Sequence, residues 1–317
     1  MAADTDDAVP VCIICLDSVP TPVQSGCACR SDSGFVHAAC LIQKALAQER
    51  HRGGEAWRSC QTCRRTYTGP IRSALAREVW SRARELPELS SKRLYTEQFL
   101  AEALCSEGAY AEAVQVSERV LAVLDRKLGC DHPATLMSAH RLACKQAHLG
   151  NFSASEETDR NVLRMMLTMF GEDDPRTLLV AEHYATTLGC QGNWTDARRI
   201  LLHVYSSWER TLGEDHVSTL KTAMLLEASV PHAEALGGPR GKTQKLVGHY
   251  TATLGSDHPI TIICSRFLAA ALALEGRHGE AEAIAEATVH RARRVLGPCH
   301  PATVACLHIL ASTRATS

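Results

Sequence analysis

The 317-residue sequence predicts a mostly α-helical protein, a stack of antiparallel helix pairs preceded by a small Cys- and His-rich segment. Three observations carry that expectation. Gly129, Gly171, Gly213, Gly255 and Gly297 recur at a spacing of 42 residues. Only 5% of residues are aromatic while Ala and Leu abound, which suits packed helices better than sheets. Eight Cys and His residues at metal-ligand spacing crowd the first 63 positions: Cys12, Cys15, Cys27, Cys29, His37, Cys40, Cys60 and Cys63.

The N-terminal element comes first. Its ligand-type residues read C-x2-C, eleven residues, C-x-C, seven residues, H-x2-C, nineteen residues, C-x2-C. Zinc takes four thiolate or imidazole ligands near tetrahedral geometry, and a two-residue gap lets both thiolates of one turn reach one ion. Four Cys, one His and three Cys fill two such sites with nothing left over. An oxidising compartment could instead pair these cysteines as disulfides. Met1-Ala2-Ala3-Asp4-Thr5 offers neither a basic nor an apolar leader region, so no secretory signal is expected. Cys105, Cys130, Cys144, Cys190, Cys264, Cys299 and Cys306 are scattered singly along helical sequence, where Cys is expected to act as a small buried apolar residue. The expected setting is cytoplasmic, with the nucleus as the alternative.

Next, Tyr67-Thr68-Gly69-Pro70 leads into a helix over Ile71–Leu86, with Ala74, Leu75, Val79 and Trp80 on one side. No Gly/Ser linker intervenes, so this helix is expected to dock the N-terminal element against the array. The expected divisions are 1–70 for the Cys/His element, 71–94 for the connecting helix and 95–317 for the repeats.

Within the array, an apolar residue precedes each recurrent Gly (Leu128, Phe170, Leu212, Leu254, Leu296), and Thr135, Thr177, Thr219, Thr261 or Thr303 follows six residues later. A second set, Gly108, Gly150, Gly192 and Gly276, divides each repeat into two helices. Gly ends the second helix, and an Asp-His-Pro or Asp-Pro turn starts the next first helix with Pro fixing φ. Leu100-Ala101, Leu142-Ala143, Tyr184-Ala185, Leu268-Ala269 and Leu310-Ala311 let neighbouring helices approach. About five repeats and a final helix from Ala305 to about Thr316 are expected. Pro231 and Gly237-Gly238-Pro239-Arg240-Gly241 interrupt the fourth repeat, which is expected to be kinked. His132, His216, His258 and His300 recur in the turns and are expected to be structural.

The pattern LG-x-D-H-P-x-T over roughly residues 95–317 resembles the tetratricopeptide repeats of kinesin light chains, which implies an α-helical superhelix with a concave face for an extended protein or peptide ligand. That family's groove asparagines are absent. The matching positions are His140-Arg141, Glu182-His183, Met224-Leu225, Arg266-Phe267 and His308-Ile309, so kinesin's partners do not transfer.

Plant-homeodomain and variant RING (RING-CH) fingers both use four Cys, one His and three Cys. The Cys27-Ala28-Cys29 gap, the seven residues to His37 and the apolar run Leu41–Leu46 resemble RING-CH. That resemblance implies a two-zinc cross-brace, with Cys12, Cys15, His37 and Cys40 on the first ion and Cys27, Cys29, Cys60 and Cys63 on the second. It also implies a ubiquitin-conjugating enzyme as partner, touched by Ile14, Trp57 and Arg64. Each of these has a plainer role available: Ile14 in knuckle packing, Trp57 in the core, Arg64 as a solvated charge. The implied function is a RING-type ubiquitin ligase that forms no covalent intermediate and whose repeats bind the substrate. The alternative is a non-catalytic zinc-finger and repeat scaffold. A histone-reading finger is the third possibility.

The remaining classes are disfavoured. With 34 basic and 35 acidic side chains, no patch suited to tracking phosphates stands out. No apolar run reaches the ~18–20 residues of a membrane span. There is no phosphate-cradling glycine loop, G-x-S-x-G or H-E-x-x-H. No catalytic residue is expected, and Cys105 and Cys144 are read as helix-packing positions.

Overall fold

The computed structural model describes residues 10–25, 34–228, 242–298 and 300–315. The chain divides into two compact units, Met1–Glu107 and Gly108–Ser317. The division falls between the two helices of the first expected repeat, later than position 94. The reason lies in the helix Ser91–Glu107, which buries Phe99, Leu100, Ala103 and Leu104 and packs along the helix Gly69–Ala83.

In the first unit, β1 (Val23–Gln24) pairs antiparallel with β2 (Phe35–Val36), Val23 opposite Val36. α1 (Ala38–Arg52) follows and buries Leu41 and Ala45, with Arg50, His51 and Arg52 at its C-terminal end, where cations suit the helix dipole. A 3-10 turn, Gly53–Trp57, leads to the hairpin that carries Cys60 and Cys63. α2 (Gly69–Ala83) has Pro70 in its first turn, where its missing N–H costs nothing. Its buried stripe is Ile71, Leu75, Ala76, Val79 and Ala83; Ala74 and Trp80, expected on the inner face, are only half-buried. α2 packs on α1, β1 and the 3-10 turn, and also on α3 (Ser91–Glu107). The expected docking helix therefore binds the finger to α3.

The second unit is a run of helix pairs: α4 (Tyr110–Leu128), α5 (Pro133–Leu149), α6 (Phe152–Phe170), α7 (Pro175–Cys190), α8 (Trp194–Leu212), α9 (Val217–Ala228), α10 (Lys242–Leu254), α11 (Pro259–Leu274), α12 (His278–Leu296) and α13 (Pro301–Ala315). Each helix packs on the next, and the first helices α5 and α7, α9 and α11, and α11 and α13 also touch. The core is accordingly a series of local clusters. Leu136, Val162, Met166 and Val180 form one, and Ile262, Ala269, Ala285, Val289, Ala292, Cys306 and Leu310 another. That is the quasi-one-dimensional packing of a repeat array.

Punctuation is as the repeat predicts. Gly129, Gly171, Gly213, Gly255 and Gly297 have φ between +82° and +95°, a backbone other residues adopt at a cost. Pro133, Pro175, Pro259 and Pro301 open α5, α7, α11 and α13, so the last helix starts at Pro301 rather than Ala305. The turn histidines have a defined task. Nδ1 of His132, His216, His258 and His300 accepts the backbone N–H two residues on, at 3.1–3.2 Å, as Oδ1 of Asp174 does at 2.9 Å. They are helix N-caps. Pro231 and 237–241 lie outside the described residues. The single cysteines divide: Cys264 and Cys306 are buried apolar residues as expected, but Cys130 and Cys190 sit exposed at helix ends. Cys299 is outside the described residues. Among the described residues no helix is long and apolar enough to cross a membrane.

Candidate metal centre

Two turns of the first unit are built alike. In Cys12–Asp17, Cys12 N–H donates to Asp17 O at 2.8 Å and Leu16 N–H to Cys12 O at 2.9 Å. In Cys60–Arg65, Cys60 N–H donates to Arg65 O at 2.9 Å and Arg64 N–H to Cys60 O at 2.9 Å. The residue after each second Cys is left-handed: Leu16 has φ 64° and Arg64 φ 56°, and they are the only non-glycine positive-φ residues among those described. A non-glycine residue there is strained, and such strain clusters at ligand clamps. Each turn presents two thiols on one knuckle.

The first knuckle meets its complement through the backbone. Ile13 N–H donates to Phe35 O at 3.0 Å and His37 N–H to Cys12 Sγ at 3.4 Å, bringing the end of β2 and the start of α1 against the knuckle. The ligand atoms of Cys12, Cys15, His37 and Cys40 then all lie within 4.8 Å of one another. Nδ1 of His37 is 3.2 Å from Cys15 Sγ and 3.8 Å from Cys40 Sγ. Ligands ~2.3 Å from a tetrahedral ion sit ~3.8 Å apart, so the set can close on a metal ion with small shifts. Burial works against ionising Cys12, but amide donors from Cys15, His37 and Ile14 outweigh it and bring its thiol down to about 6. Burial, then the neighbouring Cys15 and Cys12, pushes Cys40 up to about 11. Thiols this crowded resist ionising together, and a bound cation removes that resistance. His37 Nε2 is buried and has no hydrogen-bond partner among the described residues.

Of the expected second set, Cys60 is buried and Cys63 half-buried on the second knuckle. Cys27 and Cys29 lie outside the described residues. Ser25, two residues before Cys27, accepts the Thr68 N–H at 3.2 Å, just beyond the Ser59–Thr66 bridge that closes the second knuckle.

Ile14 is 39% exposed on the first knuckle, and Val11, Leu16 and Val19, near it in sequence, are also exposed apolar residues. Arg64 is exposed on the second knuckle. Trp57, open to either a contact or a core role, is 1% exposed, with Val36, Leu41 and Tyr67 also buried in the same small unit.

A second constellation, which sequence reading passed over, lies in the other unit. Asp159 of α6 is fully buried and bonds Nδ1 of His140 at 2.9 Å and Nδ1 of His183, joining α6 to α5 and α7. Cys144 Sγ is 3.7 Å from His140 Nε2. The ligand atoms of His140, Cys144 and His183 all lie within 4.8 Å of one another. Desolvation disfavours each charge here, yet the Asp159 carboxylate and the Cys144 sulfur raise His140 to about 9 and His183 to about 10; the two imidazoles in turn lower Asp159 and bring Cys144 to about 6. Reading the repeats in register would have flagged it. The Asp159 position holds Ser117, Leu201, Thr243 or Ala285 elsewhere, and the His183 position Leu225, Phe267 or Ile309 in the three later repeats. Of the expected groove residues, His140, Glu182 and Met224 are buried between helices, while Arg141 and His308 are exposed.

With this geometry in hand, residues 93–168, 177–218 and 264–302 match tetratricopeptide repeat families. No curated protein matches the chain. Among solved structures, a kinesin light chain with nearly identical TPR-like repeats from Podosopora anserina is similar, at 24% identity and TM-score 0.46, covering 66% of this chain and 97% of that one. BtubC from P. vanneervenii is similar at 14% identity and TM-score 0.43, covering 77% and 90%. The apo form of RapI is similar at 10% identity and TM-score 0.46, covering 88% and 83%. The matched segments are tetratricopeptide repeats, an architecture that binds protein and peptide ligands.

Proposed function

We propose that the chain is a RING-type ubiquitin ligase: the N-terminal finger recruits a ubiquitin-charged conjugating enzyme and the tetratricopeptide repeats hold the protein to be modified. The observation that carries this reading is the pair of matching knuckles, one converging with His37 and Cys40 and presenting an exposed Ile14. Zinc is the ion whose preference for thiolate and imidazole the ligands suit. Cys12, Cys15, His37 and Cys40 hold one ion, and Cys60 and Cys63 with Cys27 and Cys29 hold a second. Zinc supplies folding energy here and no reactive group, because four protein ligands leave no open position.

The chain's own contribution is orientation. Ile14, with Val11 and Leu16 near it in sequence, is the apolar footing for the conjugating enzyme, and Arg64 on the other knuckle is placed to donate hydrogen bonds to enzyme or ubiquitin. Trp57 supports both knuckles from within. Fixing a thioester in reach of a lysine amine converts an intermolecular attack into one between positioned groups. The repeats raise the local concentration of the acceptor.

The test is a ubiquitin-discharge assay with the full chain across a panel of conjugating enzymes. We expect chain-dependent discharge that Ile14→Ala reduces at least tenfold and Arg64→Ala reduces less. The buried Trp57 favours a second reading, a non-catalytic scaffold, because it leaves one fewer surface contact. No discharge with any enzyme, from a chain holding two zinc ions in its finger, would establish the scaffold instead.

A further inference from the structure

We infer that His140, Cys144 and His183 form a binding site for a zinc-class divalent transition metal within the repeat array, with Asp159 as the residue that positions both imidazoles. The site is separate from the finger and lies wholly in the second unit.

The geometry is that of a carboxylate–histidine–metal arrangement. Asp159 is 0% exposed and takes Nδ1 of both rings, which leaves Nε2 of each for a ligand. Metal-bound histidines are commonly held in this way, with the second nitrogen on a carboxylate that fixes tautomer and ring orientation. Cys144, one turn after His140 on α5, adds a thiolate on the same side. The two rings stand edge to face, with centroids 5.4 Å apart, and do not stack on each other. They approach the common point from different helices.

Composition argues the same way. Later repeats place Leu201, Thr243 or Ala285 at the Asp159 position and Leu225, Phe267 or Ile309 at the His183 position, so the carboxylate and its second imidazole are particular to this pair of repeats. One thiolate and two imidazoles are borderline-soft donors suited to zinc, cobalt or copper and unsuited to magnesium or calcium. Three protein ligands leave a fourth position, and Cys144 and His183 are only half-buried, so water or a donor from a bound protein can reach it. The ion would tie α5 and α6 to α7, linking two successive repeats.

The experiment measures zinc in the full chain, by elemental analysis and by titration after chelation, for wild type, Cys144→Ser and His183→Gln, each checked for helical circular dichroism. Each variant is expected to lose one ion per chain relative to wild type. Asp159→Asn is expected to keep the stoichiometry and weaken that one ion about 10–100-fold. Cobalt loading should show a thiolate charge-transfer band whose Cys144-dependent part persists in a Cys40→Ser background. The inference is overturned if folded Cys144→Ser and His183→Gln bind as much zinc as wild type, as tightly. Failure of the finger reads differently: wild type would then hold one ion, and both variants none.

Discussion

His132 does in one repeat what Asp174 does in the next, accepting the N–H two residues on and closing the first turn of a helix. His132→Ala should therefore lower stability by about 1 kcal/mol, the ordinary cost of a lost N-cap, while His132→Asp should be nearly neutral. Urea midpoints of the two variants check this. The recurrence of these histidines was plain in the sequence; their task was not, because imidazole is rarely thought of as a capping group and only the backbone geometry reveals the bond. The same contrast separates the two Cys/His sets. Cys12, Cys15, His37 and Cys40 were legible because zinc ligand spacing is local and repetitive. Asp159 is separated from its partners His140 and His183 by 19 and 24 residues on flanking helices, and nothing but packing joins them.

At the scale of elements, the finger is held to α3 by one side chain more than any other. Arg58 donates to Tyr95 Oη at 2.8 Å and to Glu102 at 3.2 Å, and lies over the rings of Tyr95 and Phe99. Gly54 completes the fit, since a Cβ there would stand 3.1 Å from the Tyr95 ring. Arg58→Ala should cost about 1–2 kcal/mol, more than an exposed ion pair because the cation also stacks on aromatic faces. Hydrogen exchange should quicken over residues 53–68 and along α3, with α5–α8 unchanged; uniform quickening would count against this clamp. The helix that carries the docking was readable from its turn residues and apolar spacing. Its inner face was misjudged by part of a turn, because Trp80 is held half-out beneath Arg93, a contact that spacing alone does not encode.

At the scale of the whole molecule, the proposed finger would depend on metal ligands and the array on local apolar clusters, so the two should fail separately. Cys40→Ser, or a strong chelator, is expected to unfold the finger, since structural zinc supplies much of such a domain's folding energy. Most far-ultraviolet helical signal should survive, because α4–α13 draw their packing from neighbouring helices. Loss of the entire helical signal on Cys40→Ser would show that the two units fold as one.

Helices α5, α7, α9, α11 and α13 each open on a capping residue with a proline or valine after it, and α4, α6, α8, α10 and α12 each close on a glycine of positive φ. The array is thus a reading frame, and its length can change in whole frames without rewriting a boundary. Removing residues 256–297 joins Gly255 to Pro298 and restores the same phrase at the junction. That shortened chain should fold with one pair of helices fewer and a shallower urea dependence. Removing 40 residues instead of 42 puts α13 out of phase with the surface it must cover, and that chain should aggregate or lose cooperative unfolding. An array built this way can lengthen or shorten one 42-residue step at a time.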